Sequence, residues 1–223
     1  MSINKPYVDI GLLPALIPIF PLDGALMLPR GHLPLNIFEP RYMTMIDDAL
    51  KTDRLIGMVQ PDVMGAVERG EFKLHSIGCL GRLTQLAETG DGRYIISLTG
   101  VIRFKIVEEL RVITPYRQCL VSYESFADDL VPHAGESLVD RHAVLEALRA
   151  YAERTKLKID WKSIDQASNE DLVNALAMMS PFGPKEKQAL LEAQDLSARA
   201  AILVAMTEIE LARRDDGSST GLQ

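Results

Sequence analysis

Near residue 130 the chain changes character, and that break constrains its fold more than any other feature. Up to Phe126 it is rich in β-branched residues and interrupted by Pro and Gly; after Gly135 it is rich in Ala, Leu and Glu at helical spacing. The joint, Ala127-Asp-Asp-Leu-Val-Pro-His-Ala-Gly135, is polar, with Pro132 and Gly135 as breakers. A run of strands followed by a run of helices makes an α+β chain, not an alternating α/β one. The charge divides at the same place. Residues 1–125 carry 13 basic and 14 acidic side chains, and residues 126–223 carry 11 and 17, so nearly all of the net −7 lies in the helical half.

In the first half, Leu16–Phe20, Leu33–Phe38, Arg54–Gln60, Lys73–Ala87, Arg93–Leu110 and Tyr116–Tyr123 read as six strands. Thr89-Gly-Asp-Gly92 joins two of them as a hairpin, and Gly100 marks a bend or bulge. One helix interrupts them, with Pro40 at its first position and Tyr42, Met43, Ile46 and Leu50 on its apolar face. With no regular helix between the others, the strands predict an antiparallel barrel or sandwich. In the second half, helices are expected from Glu136 to about Lys156, from a Ser168 cap to Met179, from Pro184 to about Ala193, and from a Ser197 cap to Arg213. Ile202–Met206, apolar all round, reads as the buried spine of that half.

Composition and motifs exclude much chemistry. The hydrophobic fraction of 47% rules out wholesale disorder. The pI of about 5.2 argues against binding nucleic acid through global charge. Cys79 and Cys119 form neither a disulfide framework nor a CxxC pair, and read as reduced thiols of a cytoplasmic protein. The start carries no signal peptide, and the longest apolar run, Ala200–Met206, falls far short of the ~20 residues that span a bilayer. There is no GxxxxGK[ST] and no GxSxG. His32, His75, His133 and His142 lack metal-ligand spacing. His75 and Cys79 share a strand face but lie roughly 13 Å apart, too far for proton transfer. No catalytic residue, metal site or cofactor is therefore assigned.

The longest distinctive string runs from Ile17 to Met43. Within it stand Pro18-Ile-Phe-Pro-Leu22, Leu28-Pro29 and Pro34-Leu-Asn-Ile-Phe-Glu-Pro-Arg-Tyr42. It resembles the opening of the amino-terminal domain of the ATP-dependent protease Lon. Ile56-Gly-Met-Val59, Gly78-Cys-Leu-Gly81 and Gly100-Val-Ile-Arg-Phe104 are similar to later pieces of that family. The resemblance implies a PUA-like six-stranded antiparallel pseudo-barrel with one embedded helix, followed by a C-terminal helical bundle. It also implies a role in recognising substrate polypeptide, here without the family's ATPase and protease motifs. Phe20, Pro21, Leu22, Phe38, Glu39, Pro40, Arg41 and Tyr42 carry the signature. They read as structural, with Leu35, Ile37 and Phe38 closing the barrel on the helix, Glu39 capping or pairing with Arg41, and Tyr42 packed inward.

The resulting expectation is a β domain over 1–127, a helical bundle over 128–215 and a disordered tail over 216–223. Its function would be non-catalytic binding of polypeptide segments or another protein. Val63, Met64 and Val67, in the long connection Gln60–Glu71, and Phe182, in Pro181–Pro184, are the candidate contacts. Neither nucleic acid nor membrane is the expected partner, and no oligomeric state is assigned. Two other classes stay open: an RNA-binding PUA-like module, suggested by Arg93, Arg103, Lys105, Arg111 and Arg117 among aromatics, and a small hydrolase built on paired carboxylates.

Overall fold

The structure, a computed structural model, describes residues 4–218 other than 64, 66, 69 and 70. The strands are β1 (Leu16–Pro21), β2 (His32–Ile37), β3 (Leu55–Val59), β4 (Val67–Glu68), β5 (Glu71–Phe72), β6 (Ile77–Glu88), β7 (Tyr94–Glu109) and β8 (Arg117–Ser122). The helices are α1 (Pro40–Leu50), α2 (Arg141–Thr155), α3 (Trp161–Gln166), α4 (Asn169–Met179), α5 (Pro184–Glu192) and α6 (Leu196–Ser218). Met1–Pro132 and Phe182–Leu191 form one compact unit, and His133–Pro181 and Glu192–Gln223 form another.

In the first unit six strands make a mixed sheet in the order β2-β7-β6-β3-β1-β8, and β7 pairs with β8 as well. The pairings β7-β6-β3-β1-β8-β7 therefore run in a ring, with β2 as an extra edge on β7. One strand can serve three partners because β7 is 16 residues long. Its first half pairs with β2, its second half with β8, and β6 runs along both. The register slips between Leu80 and Gly81 of β6, where β7 carries Val101 as an extra residue. Such a bulge bends the strand and re-aims it. Gly100 sits at that bend because a Cβ there would lie 2.0 Å from the carbonyl oxygen of Leu28.

The expected all-antiparallel arrangement needs correction, since β1 pairs with β3 in parallel. Their connection, which holds β2 and α1, is long enough for the crossover that parallel pairing requires. Ile17, Ile19, Leu80, Ile102 and Phe104 are fully buried at the centre of the unit. Helix α1 buries Tyr42, Met45, Ile46 and Ala49, and the expected Leu50 is exposed.

Two polar clasps fix the chain around the ring. Arg103 of β7 is 3% exposed and donates Nε and Nη2 to the two carboxylate oxygens of Asp129, both at 2.9 Å. Its own backbone N–H reaches Asp129 Oδ2 at 3.0 Å, Nη1 reaches the Leu191 carbonyl at 3.1 Å, and the guanidinium lies 4.5 Å from the Phe126 ring centroid. At the other end of α5, the Gln60 amide donates to the Pro184 carbonyl and Gln188 Oε1, both at 3.1 Å, and accepts from Gly24 N. Gln188 in turn donates to the Ile77 carbonyl. These clasps explain why Phe182–Leu191 belongs with the strands, which composition alone, placing the boundary at 127/128, did not reveal.

The second unit departs from the sequence reading in its breaks. Glu136–Leu138 forms only a 3-10 turn, and α2 begins at Arg141 because Asp140 accepts from Ala143 N. Leu138 is consequently exposed, and the buried residues of α2 are Val144, Leu148 and Ala152. Helix α3 was not foreseen; the Asp160 carboxylate caps its start, and Arg141 donates to the Ile164 and Ala167 carbonyls at its end. Asp195, not Ser197, caps α6, accepting from Ala198 N at 2.8 Å. Helix α6 packs along α2 and α4 and buries Ala200, Leu203 and Thr207, so only one face of the expected spine is inside. It extends to Ser218, and residues 219–223 lie outside the described ones.

Removing one partner of the desolvated Arg103–Asp129 pair strands the other charge. Asp129→Ala is expected to cost about 3–5 kcal/mol in denaturant unfolding. The double variant Arg103→Met/Asp129→Leu should recover much of that loss.

Candidate functional site

The strongest candidate site lies where the sheet divides. Strands β3 and β6 pair as far as Met58 and Cys79, and the same two chain segments then continue as a projecting hairpin. His75 N donates to Gln60 O at 3.0 Å, Asp62 N donates to Lys73 O at 2.7 Å, Pro61 bridges Leu74, and Val67 pairs with Phe72. The long connection that carries the candidate contacts Val63 and Val67 thus forms an arm with β4 and β5 in it. Meanwhile β6 stays with β7 only to the bond from Ile106 N to Ser76 O, at 2.7 Å. Beyond it β7 runs on with β8 alone, since Leu110 N donates to Gln118 O at 3.0 Å.

The arm and the end of β7 therefore separate as a fork. Between them is an open groove of about 840 Å³, lined by Phe72–Ser76 on one side and by Ile106, residues 109–112 and residues 114–117 on the other. That volume falls in the range of ligand-binding clefts. Large exposed apolar side chains gather on both prongs: Val63, Val67 and Phe72 on the arm, and Val107, Val112 and the fully exposed Ile113 on and beyond the end of β7.

Arg117 spans the fork. Its Nε and Nη2 hold the Glu109 carboxylate at 2.7 and 2.5 Å, and Nη1 donates to the Phe72 carbonyl at 3.0 Å. Tyr116 donates its hydroxyl to Asp48 Oδ2 at 3.0 Å. Burial, followed by the hydrogen bond and charge of Asp48, pushes the Tyr116 hydroxyl up to about 12. Asp48 is itself held below the usual carboxylate range, first by Lys51 and then by Tyr116. Burial and the nearby Glu109 charge push the Cys119 thiol up to about 12, which keeps it in the un-nucleophilic thiol form. The Cys79 thiol is buried, 3.8 Å from the Leu80 carbonyl. Among the described residues no cluster of His, Cys, Asp and Glu is placed to hold a metal, and no helix is long and apolar enough to cross a membrane.

The structure disperses the residues expected from sequence. Val63 and Val67 stand on the arm, with Val67 opposite the groove residue Phe72; Met64 lies outside the described residues. Phe182 is half-buried and does not line the groove. Of the signature residues, Phe20 stacks on Tyr42 with ring centroids 4.2 Å apart. Arg41 lies over the same ring and pairs with Glu39 at 2.9 Å. Pro40 is the first residue of α1, Pro21 pairs with Val59 in β3, and Leu22 N donates to the Val59 carbonyl. Phe38 is a correction: it is 60% exposed and does not close the strands on α1. Alternation along β2 turns Ile37 inward and its neighbour outward. Sequence reasoning missed Phe72, Arg111, Val112 and Arg117 as groove residues. The available signal was Arg111-Val-Ile113, an apolar pair beside a charge in a connection between strands.

The family model of the ATP-dependent protease La (Lon) substrate-binding domain matches residues 16–208. The chain belongs to the Lon substrate-binding domain family. It is 27% identical over 198 residues to the Lon protease of Anaeromyxobacter dehalogenans, covering 86% of this chain and 23% of that protein. It is 30% identical over 188 residues to the Lon protease of Parabacteroides distasonis, covering 82% and 22%. The chain thus spans less than a quarter of the length of these relatives. Its fold is similar to the Lon N-terminal domain protein of Xanthomonas campestris, with a TM-score of 0.61, 20% identity and coverage of 85% and 97%. It is likewise similar to the N-terminal domain of the Mycobacterium avium complex Lon protease, with a TM-score of 0.62, 17% identity and coverage of 86% and 98%.

The Tyr116–Asp48 bond has a pH signature. The hydroxyl titrates near its ordinary value of about 10 when unfolded and near 12 when folded. Its contribution is therefore fully present below pH 10 and lost as pH rises through 12. Tyr116→Phe should remove the tyrosinate absorbance step near pH 12 and cost about 1 kcal/mol in unfolding at neutral pH.

Proposed function

We propose that this Lon-family chain is a non-catalytic polypeptide-binding protein, acting in substrate recognition or as an adaptor, with the forked groove as its binding surface. Its first unit is a PUA-like pseudo-barrel with an embedded helix, and its second a helical bundle. The observation that carries the reading is an open groove with exposed Phe72 and Val112 in its lining and with exposed Val67, Val107 and Ile113 in the segments that bear it. Exposed apolar residues gathered round one cleft mark an interaction surface, whereas scattered ones do not. The family's substrate-binding role supports the same reading.

The basic residues that suggested RNA are largely engaged within the protein. Arg103 is buried against Asp129, Arg117 is held by Glu109, and Arg93 pairs with Asp91 at 3.4 Å. The carboxylates Asp48 and Glu109 near the groove are each tied to a cation, which favours a binding surface over a hydrolytic pair. Buried thiols at Cys79 and Cys119 fit a reducing, cytoplasmic setting.

A fluorescent, permanently unfolded polypeptide should bind the full chain and resist competition by single-stranded RNA. The triple variant Val67→Ser/Phe72→Ser/Ile113→Ser should weaken binding at least tenfold with an unchanged unfolding midpoint. Undiminished affinity in a folded triple variant would sink the groove as the binding surface.

A further inference from the structure

We infer that the groove takes its ligand as an inserted β-strand, paired to the protein on both sides, and that it selects extended segments in which apolar and acidic residues alternate. The inference rests on the polypeptide-binding reading and specifies its mode.

The backbone supplies the first argument. In the hairpin arm, the bonds from Asp62 N to Lys73 O and from His75 N to Gln60 O turn Lys73 and His75 toward the 60s segment. Alternation then turns the peptide groups of Phe72 and Leu74 into the fork. The Phe72 carbonyl meets Arg117 across it, and the Ser76 carbonyl, next in the same row, accepts from Ile106 of β7. On the facing prong, Leu110 N is committed to β8, so alternation turns Glu109 and Arg111 toward the arm. Two strand edges thus face one another where the β6–β7 pairing stops. An extended chain laid between them would continue the sheet and pair with both, as in strand addition.

Side chains supply the second. Leu74 and Ile106 pack on the barrel core, so one face of an inserted strand meets an apolar wall. Arg117 and Glu109 neutralise one another in the lining, which leaves Lys73 and Arg111, beside His75, as its excess of positive charge. This positive groove stands out in a chain of net charge −7 and complements acidic side chains. A strand's side-chain period of two calls for the two residue types to alternate.

The test uses the full chain and a fluorescein-labelled peptide of about eight residues, roughly 25 Å extended, alternating Val and Glu. Two further versions carry N-methyl groups on the odd or on the even amides, and a fourth replaces Glu with Lys. Two-sided insertion predicts that both methylated peptides and the Lys peptide bind at least tenfold more weakly. Leu74→Pro, which removes an N–H that the arm does not use, should weaken the parent peptide well beyond Leu74→Ala, which removes the same side chain and keeps the N–H. If either methylated peptide binds as well as the parent, two-sided insertion is overturned while polypeptide binding stands. If the Lys peptide binds as well, the acidic preference is overturned. If unfolded polypeptide binds and the Val/Glu peptide does not, the inference fails alone; if neither binds, the proposed function fails with it.

Discussion

The bond network of Arg103 is the constraint on which the first unit depends. A guanidinium with almost no exposure is costly in an apolar interior unless its donors are met, and here they find a bidentate carboxylate and a backbone carbonyl. Because Arg103 stands on β7 and its partners come from the turn at Glu124–Leu130 and from the end of α5, satisfying one side chain ties three distant segments together. The geometry is more selective than apolar packing would be. A planar fork fits one arrangement of Asp129, and the Phe126 ring over the guanidinium narrows it further.

That constraint acts on a strand already under several demands. Strand β7 must pair with β2, β6 and β8, and it does so by bending at Gly100 and carrying an extra residue at Val101. A second irregularity follows Ile106 in its pairing with β8. The same length that lets β7 close the ring carries its end past β6, leaving backbone with a neighbour on one side only. The groove is thus a consequence of the ring's closure: the strand long enough to seal it is too long to be fully paired. An unpaired edge of this kind is a template for a further strand, and Lys73 and Arg111 stand beside this one.

The strand-then-helix order, the hairpin at Gly90–Gly92 and the Pro40 start of α1 were legible because each rests on a local rule: composition, turn chemistry, the missing proline N–H. The parallel pairing of β1 with β3 was not, since strand direction is decided by a crossover that leaves no periodic trace. The return of Phe182–Leu191 to the strands was hidden for a related reason. Gln60, Gln188 and Arg103 are polar residues in a sequence that otherwise reads by its apolar pattern, and each has a partner more than 80 positions away. Ser197 as a helix cap failed against Asp195, two residues earlier, whose carboxylate reaches the third amide on.

The candidate site was the least legible part, and the fork shows why. Val63 and Val67 were visible as apolar residues in a polar connection, but nothing local pairs them with Val112 and Ile113, some 45 residues later. What joins the two prongs is the point at which hydrogen bonding between β6 and β7 gives out, at Ser76 and Ile106. A sequence pattern marks where strands exist and leaves unstated where their pairing ends. Binding surfaces made from unpaired edges, as argued for this groove, are set by that second quantity. In this chain it follows from the lengths of β6 and β7 and the bulges between them, more than from any single residue in the groove.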